Sequence, residues 1–489
     1  MHSVHQSLGR WSWRVGVAVL LTGCAVGPAY VRPAAPTAST FSATALPTQT
    51  DSAVGYLGNA QRFTSASRIG DRWWQAFGSP ALDTLIAQAL AASPTIASAD
   101  ATLRQAESLF AAQSGSTRYP SVDGSLSSQR QQFNPAALGQ DAPPREFSLF
   151  NATVSIRYRL DLAGGNRRAL EALAARTDFR RYQLHGAQLS LAAAIAVTVV
   201  QQAKLAAQLS VIESLVRIDD ELLTIARDRV RLGAASPDEL QTMERQRETT
   251  QAALPLQRKL LMQNRHLLAT LAGRVPGDGT MPSFTLADLS LPTDIPLVIP
   301  SVMVRRRPDI LAAEALMQAA NAEYGVAVAK RYPQINLSAN LGSQALSAGA
   351  LFGGGSAIWS VVGQLTQPLL NRGLSAEKRA ALAGFDATAA NYQTVILGAL
   401  REMADVLTAV ESDAQSLSAL ARADAALQSL LASERRRYTL GAASYRQVLA
   451  LDQQAEQLRT TLIAAQAQRL LNTVTYYQAV GGGGDSPPP

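Results

Sequence analysis

Cysteine is the rarest residue here that can do chemistry: Cys24 is the only one in 489 residues. It follows Leu21-Thr22-Gly23, with Arg10 and Arg14 ahead of a short apolar run from Val15 to Leu21. That order reads as a bacterial secretory signal, residues 1–23, ending in a lipobox. Small residues precede the cut, and the freed thiol takes up diacylglycerol. A lone cysteine can also be buried filler, but this one stands where acylation needs a thiol. Residue 25 is alanine, not the aspartate that resembles an inner-membrane retention signal, so the expected address is the outer membrane. With no second cysteine, intramolecular disulfides are excluded.

The other reactive types are sparse. Of four histidines, His2 and His5 leave with the signal, and His185 and His266 stand isolated in helical sequence. There is no metal-ligand spacing, no nucleophile elbow and no glycine-rich phosphate loop after a strand. Gly353-Gly354-Gly355 falls between two strand patterns and reads as an exposed loop. The expectation is therefore no enzyme, no metal and no cofactor. The formal charge of +7 loses Arg10 and Arg14 with the signal, leaving +5 spread thinly over the chain. Without a dense Lys/Arg cluster and interleaved aromatics, that charge is solvated helix surface and not a nucleic-acid footprint.

The elements behind these residues are unusual. Hydrophobic residues make up 47% of the chain and aromatics only 6%. With Ala, Leu, Gln and Arg dominant, that is the composition of long helices. No window reaches the roughly 18 continuous apolar residues of a spanning helix; the best run, Leu191 to Val200, is interrupted by Thr198. Membrane contact is thus expected from strands or from a lipid. Strand patterns are clear: from Phe150 to Leu162 every even residue is apolar and every odd residue between them polar. Gln334 to Leu341 alternates likewise, and Val122 to Ser128 and Trp359 to Leu369 do so more weakly. Four strands cannot close a barrel. An open membrane sheet would leave unpaired backbone groups in hydrocarbon, so three copies giving twelve strands is the simplest closure. A small soluble sheet with one buried face is the alternative.

Two halves of the chain repeat. Arg231-Leu232-Gly233-Ala234-Ala235-Ser236 returns as Thr439-Leu440-Gly441-Ala442-Ala443-Ser444, and Arg118-Tyr119-Pro120 returns as Arg331-Tyr332-Pro333. Each half reads helix, strand, loop, strand, very long helix, turn, helix. The segments are a signal, 1–23; an N-terminal arm, 24–78; a first repeat, 79–274; a Pro-rich connector, 275–300; a second repeat, 301–480; and a disordered tail, 481–489. One long helix is expected over Asn166 to Leu232, roughly 100 Å at 1.5 Å per residue, and its counterpart over Ser375 to Leu440. Shorter helices over Ser79 to Gly115 and Pro237 to Ala272 suggest two long and four short in all. Leu205, Leu209, Ile212, Val216, Asp219, Leu223, Ala226 and Val230 form a heptad seam. A second stripe, Val211, Leu215, Ile218, Leu222, Ile225 and Leu232, lies on an adjacent face. Two seams let a helix touch a neighbour on each side, as in a tube. The second half keeps the first seam in Leu417, Leu420, Asp424, Leu427, Leu431 and Tyr438.

Taken in order along nearly the whole mature chain, these residues resemble the lipoprotein branch of the outer-membrane efflux channels of tripartite pumps. The most specific stretch is Arg307-Pro308-Asp309-Ile310, then Ala313-Glu314, Ala319-Ala320-Asn321-Ala322, Gly325-Val326-Ala327-Val328-Ala329 and Tyr332-Pro333-Gln334-Ile335. Cys24-Ala25-Val26-Gly27-Pro28 with Tyr30 and Pro33, Trp73-Trp74, and Tyr158 to Gly164 are also family-like. Ala163-Gly164-Gly165 departs from the family, which usually has an aromatic before the glycine, so a looser strand-to-helix corner is expected. The resemblance implies a homotrimer: a twelve-stranded β-barrel continuous with a twelve-helix periplasmic α-barrel, anchored in the outer membrane and extending into the periplasm. It implies a passive duct for small molecules, working with a periplasmic adaptor protein and an inner-membrane pump, the pump of the proton-driven resistance-nodulation-division type. Leu232, Gly233, Ser236, Leu440, Gly441 and Ser444 would be the adaptor-contact tips. Val448 and Asp452 would be the apolar and acidic rings of a closed gate, where three carboxylates repel one another and favour cations. The family often has an arginine three residues after the acid, where this chain has Ala455, so a stabilising pair from that position is not expected. The rival reading is a periplasmic helical lipoprotein without a pore, structural or adaptor in role. The cargo is not written in the sequence.

Overall fold

The computed structural model describes residues 25–42, 46–64, 70, 72–139, 141, 143–277, 279 and 281–482. The signal, Cys24 and residues 483–489 of the expected tail lie outside the described residues. The chain divides into two compact units, and each draws on both halves of the sequence. One holds the described residues up to Pro33 with Thr102–Arg180 and Ala312–Tyr392; the other holds Ala34–Ala101, Arg181–Leu311 and the described residues from Gln393.

In the second unit, helix α1 spans Pro80–Ala92. Ser79 caps it by accepting from the Leu82 N–H at 3.5 Å, and Pro80 occupies the first turn, where no N–H is needed. Helix α2, Pro94–Arg118, begins two residues later. The single helix expected over Ser79 to Gly115 is therefore two. Pro94 has no N–H to continue the ladder and drives Ser93 out of the helical region, to φ −68° and ψ 124°. The second half breaks likewise, into α5, Pro300–Met303, and α6, Pro308–Ala329. So the count of four short helices is corrected: proline splits the leading helix of each repeat. The remaining helices are α3, Gly165–Arg231, of 67 residues; α4, Pro237–Leu271; α7, Arg372–Thr439, of 68 residues; and α8, Tyr445–Ala479. A stretch of α3 is apolar enough by composition to cross a membrane, contrary to expectation, but half of it is buried inside the chain. Core packing accounts for its apolar character.

The seams are half satisfied. Val216, Asp219, Leu223 and Ala226 of the first are buried within the chain, as are Leu417 and Leu431 of its repeat. In the second stripe Val211 and Leu222 are buried, while Leu215, Ile218 and Ile225 stay half-buried and Leu232 is exposed. The arm and the connector, both read as irregular, pair with each other. Strand β1, Arg62–Thr64, runs parallel to β4, Asp294–Pro296. Arg469 of α8 pins the arm by donating to the carbonyls of Leu57 at 2.6 Å and Asn59 at 3.0 Å. Beside it Trp73 stacks on Tyr477 at 5.4 Å.

The first unit contains a four-stranded antiparallel sheet in the order β2-β3-β5-β6: Ser121–Phe133, Arg145–Leu160, Gln334–Ala345 and Ala357–Thr366. All four strands lie at the alternating segments, though β2 and β3 extend further toward their shared loop, β3 ends at Leu160 and not Leu162, and β6 ends at Thr366 and not Leu369. Register puts Val122, Ile156, Ala339 and Val361 opposite one another, and Gly124, Val154, Leu341 and Trp359 likewise. One face is thus apolar across its middle rungs and yet exposed; Leu126 and Trp359 are both 77% accessible. The other face is a lattice of polar rungs. Ser125 bonds Thr153 at 2.8 Å, Ser155 donates to Asn340 at 2.7 Å, and Asn340 donates to Ser360 at 3.2 Å. Within the described chain β2 and β6 are open edges.

Candidate functional site

The two repeated turns have the same backbone. After α3 the Ala234 N–H bonds the Arg229 carbonyl at 2.7 Å and the Gly233 N–H bonds Val230 at 3.0 Å. After α7 the Ala442 N–H bonds Arg437 at 2.8 Å and the Gly441 N–H bonds Tyr438 at 2.9 Å. Each is a Schellman C-cap, with glycine in the left-handed region at φ +72° and +74°. The next helix starts at once. Ser236 accepts from the Glu239 N–H, and Ser444 accepts from Gln447 in a full capping box. Gly233, Gly441, Ser236 and Ser444 thus have complete structural roles. Leu232 and Leu440, 76% and 82% accessible, project from the turns with nothing of this unit over them.

The turns are tied to each other by groups that sequence reading did not single out. Glu239 on the first turn of α4 receives Arg229 from its own hairpin and Arg446, at 2.8 Å, from the other. The Tyr445 hydroxyl donates to Glu221 of α3 at 2.6 Å, which holds that phenol above its ordinary pKa, and its ring lies 5.4 Å from Tyr438. A signal did exist. Where the repeats align, the first helical turn carries Pro237-Asp238-Glu239 in one copy and Tyr445-Arg446-Gln447 in the other, so the charge reverses.

The two expected gate residues fare differently. Asp452 is paired after all: Arg435 of α7 donates to it at 2.7 Å, from a different helix and not from the position three residues on. Val448 is 3% accessible, packed in the chain's own core. The resemblance to the efflux channels puts it in the apolar ring of a closed gate. On α8 it faces the same interior as Leu449, which is equally buried.

One turn further along, Asp219 of α3 is 2% accessible and accepts from the Thr250 hydroxyl at 2.5 Å and the Gln453 amide at 3.1 Å. Burial raises its pKa and neighbouring Asp220 adds to the rise, against the lowering by the Thr250 bond. Among the described residues no cluster of three or more His, Cys, Asp or Glu could hold a metal ion.

In the first unit the segment just after Cys24 is strapped down. The Val26 N–H bonds Ala163 at 3.0 Å, and Arg168 donates to the Val26 and Gly27 carbonyls at 3.3 and 3.1 Å. Asn321 donates to the Pro28 carbonyl at 3.2 Å, and Arg32 and Tyr30 both reach Glu314. Gly27 sits at φ +92°, and a Cβ there would lie 2.9 Å from Gly325 Cα. The Glu314, Asn321 and Gly325 of the sequence signature therefore form the seat of this strap, a role the sequence alone did not disclose. The corner expected to be loose is fixed by Asp161, whose carboxylate accepts from the N–H groups of Asn166 and Arg167 at 3.0 and 2.9 Å. The anchor position itself, Cys24, lies outside the described residues.

A family model for outer membrane efflux proteins matches residues 85–274 and 299–482. The chain is 30% identical over 424 residues to the pyoverdine export outer membrane protein OpmQ of Pseudomonas putida, covering 85% of this chain and 89% of that protein. It is 27% identical over 471 residues to the cation efflux system protein CusC of Escherichia coli, covering 96% of this chain and 98% of the relative. Among solved structures, the outer-membrane channel OprN superposes with a TM-score of 0.81 at 25% identity, over 94% of this chain and 99% of that one. The Campylobacter jejuni CmeC outer membrane channel also gives 0.81, at 20% identity, over 94% and 95%.

Proposed function

The chain belongs to the outer membrane efflux protein family, and from that premise we propose that three copies join their sheets into one twelve-stranded barrel above a twelve-helix periplasmic tunnel. The carrying observation is the four-stranded sheet with an exposed apolar face, a polar opposite face and two open edges. In hydrocarbon an open edge leaves backbone N–H and C=O groups unpaired, at several kcal/mol each, so the edges must pair with other copies. The half-buried Leu215, Ile218 and Ile225 then meet a neighbouring copy as the second wall contact of a closed helical ring. A pore-free helical lipoprotein leaves that apolar sheet face with nothing to cover it.

In this reading Cys24 carries the lipid, and the strap that follows it in sequence, Val26, Gly27 and Pro28, packs by the strand-to-helix corner at Asp161, where barrel meets periplasm. The exposed Leu232 and Leu440, with Gly233, Ser236, Gly441 and Ser444, form tip grooves for the helical hairpins of a periplasmic adaptor. An inner-membrane pump supplies the energy and the duct is passive. The gate is a latch between hairpins: Arg446 to Glu239 and Tyr445 to Glu221 hold the tip closed, while Arg435 covers Asp452 within its own hairpin and Val448 packs behind it. Asp452 then confronts its symmetry mates only when the Arg435 pair opens, so cation preference belongs to the opening state. The relatives are named for pyoverdine export and for cation efflux, so family membership leaves the cargo open.

The test is the assembly state of the purified protein in detergent, followed by single-channel conductance in planar bilayers for wild type and Asp452→Ala. Heat-resistant trimers giving discrete steps, more frequent in the variant, are expected. A stable monomer without conductance overturns the channel reading, and trimers whose steps ignore the substitution remove Asp452 from the gate.

A further inference from the structure

The polar face of the sheet is not electrically neutral. Register places Asp123, Arg145, Arg157 and Arg159 on it, and among the described strand residues no other charged side chain shares that face. Arg130 and Glu146 lie on the opposite face and neutralise each other at 2.9 Å. Asp123 is taken by Arg157 at 3.3 Å. Among the described residues Arg159 finds only the Asn336 amide oxygen, at 3.3 Å, and is exposed. Strands β5 and β6 add Asn336, Ser338, Asn340, Ser360 and Gln364, which are polar and uncharged.

We propose that the barrel wall is an anion-favouring surface, in which Arg159, backed by Arg157 and by Arg145 at the far end, makes the lumen pass carboxylate- or phosphate-bearing solutes in preference to cations. This preference rests on the trimeric-barrel reading above, which brings three copies of the face around one lumen. Each chain contributes three arginines against one aspartate, and low-dielectric walls focus their field onto the water between. Guanidinium groups stay charged at any working pH and offer paired N–H donors that suit carboxylate and phosphate oxygens. The preference lies in the strands and is separate from the acidic residues of the tip. A cargo cation would meet attraction at an opened Asp452 and repulsion in the barrel, whereas an anion would be drawn through the last stage of its path.

The test reads the local potential and does not depend on whether the tip is open. Ser338 stands directly opposite Arg157 on the polar face, and its neighbour Ala339 stands opposite Ile156 on the apolar face. Ser338→Cys and Ala339→Cys are made separately, and each is exposed from outside the reconstituted membrane to an anionic and a cationic methanethiosulfonate reagent. Wild type, whose only cysteine is Cys24 with its sulfur taken up by the lipid, sets the background. At position 338 the anionic reagent should react about fivefold to tenfold faster at low salt, and less than about twofold faster in 1 M salt, where screening shortens to about 3 Å. Adding Arg157→Gln and Arg159→Gln should abolish the difference, whereas Arg159→Lys should keep it. The salt series needs no second substitution, so a folding defect in the arginine variants leaves the test intact. If the Ser338→Cys variant reacts at equal rates with both reagents, or faster with the cation, while the Ala339→Cys variant stays protected, the anion preference is overturned and the barrel stands. Equal labelling of both variants, or of neither, removes the barrel reading and the preference with it.

Discussion

Glu239→Gln is the sharpest probe of the latch, because one carboxylate holds two arginines from two hairpins. Arg446 reaches it at 2.8 Å across the hairpins and Arg229 from its own side. Glu239 is 29% accessible and Arg446 57% accessible, so solvent screens both pairs. Each pair is then worth about 0.5 kcal/mol, and because only the Arg446 pair crosses between hairpins, the substitution weakens the closed state by about 0.5 kcal/mol per chain. If the hairpins of a chain open independently, the closed state weakens by about twofold. If three chains open together, the loss is about 1.5 kcal/mol and the open probability rises by about tenfold. Single-channel recording at low salt separates the two cases, and in 1 M salt the difference from wild type should largely vanish. Arg446→Gln should give an increase of about the same size, since it removes the same pair between hairpins, and Arg229→Gln should give little, since its pair lies within one hairpin. A trimer whose open probability is unchanged by Glu239→Gln, or changed equally at all salt concentrations, refutes the electrostatic latch.

Three further outcomes follow from the packing. Asp219 has a raised carboxyl pKa, so between its unfolded and folded values the native state binds more protons and stability falls as pH rises through the folded value. Asp219→Asn should therefore stabilise the protein at neutral pH and lose that advantage below the unfolded carboxyl range, as read by thermal unfolding over a pH series. Gly441→Ala and Gly27→Ala both force alanine to positive φ, but a Cβ at 441 meets open space while one at 27 meets Gly325. The first should cost about 1 kcal/mol and the second about 1–3 kcal/mol more, from overpacking; equal costs in calorimetry would contradict the close strap. Arg469→Met strips the carbonyls of Leu57 and Asn59 of their buried donor, with an expected cost of about 2–3 kcal/mol and faster proteolysis of the arm near those residues.

Much of the architecture follows from local pattern. Alternation of Asn151, Thr153, Ser155 and Arg157 with Ala152, Val154 and Ile156 is a period-two property of the strand itself, so β3 and its faces were readable without a partner. The length of α3 was readable because proline and glycine punctuate its ends, and the Gly233 and Gly441 caps because only a residue free to adopt positive φ serves there. Proline also had the power to break α1 from α2 at Pro94, a local signal that helix periodicity overshadowed. The rest depended on groups far apart in sequence. Arg435 finds Asp452, Arg446 finds Glu239, and Glu314 receives Tyr30 and Arg32 only because folding brings different helices and the arm together. Side-chain pairs of that kind leave no periodic trace in a single chain. Burial was equally undecidable for Val448: an apolar residue on a helix fits a lumen ring or a core, and only the packing of α8 against its neighbours placed it in the core. The sequence by itself determined which segments are helix and strand and which strand face is polar, because those are set by steps of one to four residues. Tertiary structure decided which charges are paired, where the strap sits and which carboxylate is buried, because those energies depend on distance in space.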